Sequence, residues 1–213
     1  MKLAAIIEAL FPVQRRFGLE LFARDGSLST CHWASVFHGL AACEINEKYA
    51  DDFSKRFPQA QVLRLDTIRA LCEGELAKRL ENRKFHFISA DSPQGFYGDG
   101  YCEHFDYLHL LPEHAEDRCI FYFNVNLAPY KTGGNVAHDD YGMKSSDFER
   151  WQERREAFYG KSSLSFSDAV NFYKGFFREY GFKVAIVFPF FRASALEGYP
   201  DHILYLACLA ERA

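Results

Sequence analysis

Three carboxylates stand where apolar runs give way to turns. Glu20 precedes Arg24-Asp-Gly-Ser27, Glu44 closes Leu40-Ala-Ala-Cys-Glu44, and Asp66 closes Gln61-Val-Leu-Arg-Leu-Asp66. A carboxylate ending the second such run, roughly 20 residues after the turn glycine Gly26, can accept both hydroxyls of a ribose. Asp66 can accept from an exocyclic amino group, while Thr67 and Ile68 cover the ring that carries it. A lone acidic residue at such a place is as readily a helix cap or a solvated strand end. Three in phase point to a nucleoside ligand.

The second constellation is Ala90-Asp-Ser-Pro-Gln-Gly-Phe-Tyr-Gly98. Asp91 could orient the hydrogens of an amine, with the Ser92 carbonyl beside it, Pro93 shaping the turn, and Phe96 or Tyr97 packing a planar acceptor. The plain alternative is a Pro/Gly-rich connection. Asp91 with Asn124 and Asn126 would give a cation only one anionic ligand, which is poor for a hard ion, so no metal is expected. His104, His109 and His114 recur every five residues, off the three-or-four spacing of a helical ligand face, and read as surface or capping histidines.

The 213 residues are 48% hydrophobic and 17% aromatic, with 22 Phe against 2 Met, which suits one large core built from rings. A net charge of −4 excludes a global basic field for nucleic acid, so such a substrate would need a local patch. Residues 1–10 are too short and poorly flanked for a secretory signal, and no run approaches the roughly 20 apolar residues of a membrane span. Six cysteines without a CxxC pair read as reduced thiols. These features predict a soluble, cytoplasmic chain.

To position the carboxylates, strands must alternate with helices. Periodicity predicts helices at 4–11, 29–37, 47–56, 67–80 and 103–111, and strands at 18–23, 40–45, 61–65, 84–90 and 118–125. Such alternation gives right-handed crossovers and a doubly wound α/β sheet, mostly parallel and seven-stranded. Strands at 182–191 and 203–210, with no helix between them, should form an antiparallel C-terminal hairpin after a helix at 167–180. The chain reads as one domain, 1–213, with an insertion at 127–161 that could lie over a substrate as a lid. Within it, a helix at 147–158 carries Arg150, Trp151, Arg154 and Arg155, able to hold a phosphate and stack a ring. Interleaved Glu149, Glu153 and Glu156 favour a solvated, salt-bridged surface instead. His138-Asp-Asp-Tyr141 is polar enough to face a site.

The run Leu19-Glu-Leu-Phe-Ala-Arg-Asp-Gly26, then Gly39-Leu-Ala-Ala-Cys-Glu44, Arg56-Phe-Pro58 and Leu65-Asp66, resembles the first motifs of S-adenosylmethionine-dependent methyltransferases of the Rossmann-like class, most closely the cytosine-C5 branch. The resemblance covers about 19–125 and implies S-adenosyl-L-methionine as cofactor. It places Glu44 on the ribose and Asp66 on the adenine, with Phe22, Gly26, Ile45 and Thr67 also cofactor-binding, and Glu20 could accept from the amino group of the methionine part. The first loop departs from the family: Arg24 and Ser27 replace glycines, so a bulky Arg24 is expected to narrow the approach. Pro93-Gln-Gly-Phe96 matches the cytosine-C5 catalytic loop without its cysteine, which removes the nucleophile for attack on cytosine C6. Asp91-Ser-Pro93 with Phe96 or Tyr97 also resembles the loop of amino-methyltransferases, which implies Asp91, Pro93 and Tyr97 as catalytic. A nitrogen acceptor on a nucleic-acid base, a small-metabolite acceptor, and a non-catalytic cofactor-binding protein all remain compatible.

Overall fold

A computed structural model describes residues 2–11, 16–91, 96–97, 101–102, 105–127, 145–193 and 202–213. Helix α1 (Leu3–Leu10) leads into β1 (Phe17–Glu20). β2 (Gly39–Glu44), α2 (Glu47–Arg56), β3 (Gln61–Arg64), α3 (Thr67–Cys72), α4 (Glu75–Arg79) and β4 (Phe85–Ala90) follow. After a small ladder of β5 (Phe96–Tyr97) and β6 (Tyr101–Cys102) come β7 (Ala115–Val125), α5 (Ser145–Tyr159), α6 (Phe166–Glu179), β8 (Phe182–Ala193) and β9 (His202–Arg212). Seven strands form one sheet in the order β3-β2-β1-β4-β7-β9-β8. β3, β2, β1, β4 and β7 pair in parallel, and β9 runs antiparallel to both β7 and β8. The expected doubly wound sheet with its terminal hairpin is therefore present.

The sheet separates two apolar layers. Leu19, Leu21, Ile88, Phe121 and Phe123 face the layer of α3 to α6. Phe87, Tyr122, Tyr205 and Leu209 face α1, Trp33 and Phe53. Because both faces are covered, the central strands are continuous apolar runs, as in Leu40-Ala-Ala-Cys43, all buried.

Three expected helices differ. Residues 29–37 form two 3-10 turns, Thr30–His32 and Ala34–Val36. Trp33 between them is fully buried against Phe87 at 4.6 Å, and burying that indole outweighs the weak helix preference of a Ser/Thr/Val/aromatic segment. The 67–80 helix is split at Gly74, whose φ of 67° interrupts it. In place of a helix at 103–111, a 3-10 segment spans Leu108–His114; Pro112 inside it has no N–H for an α-helical bond. β1 ends at Glu20, but the chain beyond stays tethered, with the Leu21 amide donating to Ser89 O and the Ala23 amide to Cys43 O.

Helix α5 turns Trp151 and Arg155 into the core, at 0% and 1% exposed. Arg155 Nε donates to Ser162 O at 2.9 Å, its guanidinium lies 5.0 Å from the Tyr159 ring centre, and Arg154 pairs with Asp106. Neither the expected stacking surface nor a purely solvated helix describes this segment. His138 and Tyr141, and the rest of 128–144, lie outside the described residues. His114 is also a correction: it is buried, and desolvation followed by Lys84's charge lowers its pKa to about 4. Among the five free cysteines described, Cys43, Cys119 and Cys208 are buried and Cys31 and Cys72 exposed. No helix among the described residues is long and apolar enough to cross a membrane.

Two glycines test this packing in opposite directions. A Cβ on Gly26, at φ 73°, would lie 2.5 Å from Phe57 and 2.9 Å from Phe53, whereas a Cβ on Gly175 within α6 would meet nothing within 4 Å. Gly26→Ala should lower unfolding free energy by about 2 kcal/mol or more. Gly175→Ala should raise it by about 0.5–1 kcal/mol, and urea midpoints on the two variants check both.

Candidate cofactor and acceptor site

The carboxyl ends of β1, β2, β3 and β4 share one edge of the sheet, beside the switch in strand order between β1 and β4. β1 is the central element there: Glu20 lies in register with Ala42 on one side and Ser89 on the other. The turn that follows is left-handed at two points, Arg24 (φ 47°) and Gly26 (φ 73°). Glu44 clasps this turn. Its Oε2 accepts the Arg24 amide and its Oε1 the Asn46 amide, both at 2.7 Å, so one carboxylate joins the β1 turn to the start of α2. Each oxygen retains a lone pair for an outside donor.

Arg24 does not fill the space over the turn. It is exposed, and its guanidinium lies 5.3 Å from the centre of the Tyr49 ring. The expected narrowing of the loop is relieved by that displacement. Ile45, next to Glu44, is 67% exposed, an apolar side chain beside a carboxylate.

Asp66 caps α3, its Oδ1 accepting the amides of Ile68 and Arg69, each at 3.1 Å. Thr67 donates its hydroxyl to Leu21 O at 2.6 Å and is buried, and Ile68 is buried too. Thr67 therefore serves as a tether between α3 and the strand-end of β1, and neither it nor Ile68 presents an exposed surface to a ring. Phe22 is half-buried with its ring 5.3 Å from Tyr107.

Glu20 is 1% exposed. Thr30 donates to its Oε2 at 3.1 Å, while Oε1 and the neighbouring Ser89 hydroxyl are buried without a partner of hydrogen-bonding geometry. Burial raises the Glu20 pKa to about 8, and the charge of Asp91 acts the same way. The nearby hydroxyls of Ser89 and Thr30 and the Asp91 backbone offset part of this. Asp91 is itself held: Tyr205 donates its hydroxyl to Oδ1 at 2.6 Å. Glu20 and Asp91 are thus brought together. Pro93 lies outside the described residues; Tyr97 belongs to the short β5, and its side chain lies outside them.

Sequence reasoning missed Tyr205, Thr30 and Ser89. Tyr205 is 114 positions from Asp91, and its only signal was a polar ring inside an apolar strand. Asn124, weighed earlier as a metal ligand, is buried in β7 in register with Tyr205. No cluster of three or more metal-ligating side chains occurs among the described residues.

No protein-family model and no curated protein matches the sequence. Solved structures do match in fold. Trm1 from Pyrococcus horikoshii in complex with S-adenosyl-L-methionine superposes with a TM-score of 0.59 at 12% identity, over 99% of this chain and 53% of that one. A suggested RNA methyltransferase from the same organism gives 0.57 at 12% identity, over 99% of this chain and 82% of that one. TYW2 from M. jannaschii in complex with AdoMet gives 0.52 at 12% identity, over 96% and 73%. The chain has the methyltransferase type of Rossmann-like fold.

The buried carboxyl gives a pH signature. Folded Glu20 keeps its proton up to about pH 8, far above an ordinary carboxyl, so stability falls as pH rises towards 8. Folded His114 stays neutral down to about pH 4, so its contribution is lost only below its ordinary value of 6.5. Between pH 6.5 and 8 the ligand-free protein should therefore lose stability with rising pH. Glu20→Gln should flatten that slope in urea unfolding; an unchanged slope would assign it to another group.

Proposed function

We propose that the protein is an S-adenosylmethionine-dependent methyltransferase that methylates a nitrogen, of the kind carried by a nucleic-acid base. The observation that carries this reading is the pairing of Glu20 and Asp91 at the β1/β4 switch point, with Glu44 and exposed Ile45 one strand away. The residues suit the cofactor. Glu44 can accept ribose hydroxyls on lone pairs that its two backbone amides leave open, and Ile45 can cover the adenine. Glu20 Oε1, buried without a hydrogen bond, can take the ammonium of the methionine moiety. The likeness to complexes of Trm1 and TYW2 with this cofactor supports the same assignment.

Bound S-adenosylmethionine supplies an electrophilic methyl group. Asp91 accepts from the acceptor N–H and aims the nitrogen lone pair, and the Tyr205 hydroxyl fixes Asp91 in the orientation to do so. Two neighbouring acids also favour cationic charge at the reacting centre, which a sulfonium carries. Pro93 running directly into Gln94 leaves no cysteine for C5 chemistry, which favours nitrogen within the cytosine-type resemblance. The cysteines, scattered in sequence and free at the five described positions, suit a reducing compartment such as the cytoplasm.

S-adenosylhomocysteine should raise the melting temperature, and NAD should not. Glu44→Ala should weaken cofactor binding by about 2–3 kcal/mol in calorimetry, since it removes a charged acceptor for two hydroxyls; equal affinities would place the ribose elsewhere. Asp91→Ala should leave cofactor affinity within about threefold, while methyl transfer falls on the order of 10²-fold. Tyr205→Phe should lower transfer by roughly tenfold through misorientation of Asp91, again without altering cofactor affinity. Full activity in a stably folded Asp91→Ala protein would remove Asp91 from the chemistry.

A further inference from the structure

A cavity of about 420 Å³ opens on the α1 side of the sheet and is lined in part by Tyr205, whose hydroxyl donates to Asp91. Its size falls within the roughly 300–1,000 Å³ of small-ligand sites. Tyr205 belongs to both features, lining the cavity with its ring while its hydroxyl holds Asp91. The cavity's floor continues a row of rings laid across three adjacent strands. Phe87 on β4 stacks on Tyr122 of β7 at 5.8 Å, and Tyr122 stacks on Tyr205 of β9 at 5.1 Å and 10°. Trp33 closes the row at one end, and Phe190 meets Tyr122 edge-on at 6.2 Å. Phe191, 66% exposed, and Leu28, 41% exposed, stand at the sides.

The mouth is different. Lys2 and His32, both exposed, bring a positive charge and an imidazole to the edge of an otherwise aromatic slot. Rings on the floor and side, a tyrosine whose hydroxyl holds the Asp91 carboxylate, and a lysine with an imidazole at the rim match a planar nitrogen heterocycle carrying a phosphorylated sugar. In a chain of net charge −4, this is the local cationic feature that such a ligand needs.

We infer that this cavity is the acceptor pocket, and that it takes the base of a nucleotide: the ring enters between Phe190, Phe191 and Leu28, its amino nitrogen reaches Asp91 beside Tyr205, and its phosphate meets Lys2 and His32. The inference rests on the cofactor reading above. It adds a substrate class and a direction of entry, from the α1 side of the sheet. A free mononucleotide and a nucleotide within a single strand share this chemistry.

The test uses the full chain saturated with S-adenosylhomocysteine, which blocks the nucleoside site, titrated with AMP, GMP, CMP and UMP by calorimetry or ligand-observed NMR. At least one should bind, and its nucleoside should bind several-fold more weakly. Phe191→Ala should weaken binding about tenfold and His32→Ala about threefold, with S-adenosylhomocysteine affinity and melting temperature unchanged, as expected for exposed side chains outside the cofactor site. A single-stranded RNA oligonucleotide that binds more tightly, with steeper salt dependence, identifies a strand as the source; equal affinity identifies the free nucleotide. Failure of all four nucleotides to bind the S-adenosylhomocysteine complex, or binding indifferent to both substitutions, overturns the pocket assignment alone. Failure of S-adenosylhomocysteine itself to bind overturns the cofactor reading, and this inference with it.

Discussion

A carboxyl group buried in the central strand of a parallel sheet has to be neutral or answered by a positive charge, and Glu20 imposes that choice on everything around it. Its neighbours are arranged for the choice rather than against it. Thr30 reaches it from the first 3-10 turn, Ser89 faces it from β4, and Asp91 adds a second acid instead of a basic partner. A structural ion pair would have silenced Glu20. Its absence among the described residues leaves a group whose ionisation is favoured by an incoming cation, as expected of a site rather than a flaw in packing.

The neighbouring carboxylates hold the scaffold while keeping acceptor capacity to spare. Glu44 fixes the left-handed turn through two amides while presenting spare lone pairs, and Asp66 caps α3 with one oxygen. Thr67 belongs to the scaffold, since its hydroxyl is committed to Leu21 O. The plain alternative weighed for Asp66, a helix cap, is thus what its Oδ1 does. A cap and a ligand contact are compatible when a carboxylate has two oxygens.

The sheet order was legible in the chain because strand and helix periods alternate cleanly through β4, and because the last two strands have no helix between them. Glu20 and Glu44 were legible because each ends a strand, and Asp66 because it stands where β3 gives way to α3. What escaped were features set by distant partners. Trp33 turns a helix-like segment into two tight turns through contact with Phe87, and Arg155 is drawn into an aromatic interior despite a charged surroundings in sequence. Tyr205 reaches Asp91 only after the hairpin folds against β7. Local periodicity carries no information about such pairings.

The same separation gives the two halves of the site different histories. The side that carries Glu20, Glu44 and Asp66 is built from β1, β2 and β3, joined within residues 17–66, and its clasp spans 20 positions, from Arg24 to Glu44. The Tyr205–Asp91 bond closes 114 positions and needs β9, the last strand in the chain, to enter between β7 and β8. Loop-closure entropy favours the first assembly and delays the second. As the chain leaves the ribosome, the edge formed by β1, β2 and β3 can assemble before Tyr205, which holds Asp91, has been synthesised, so the final hairpin is the step that completes the strand-end cluster.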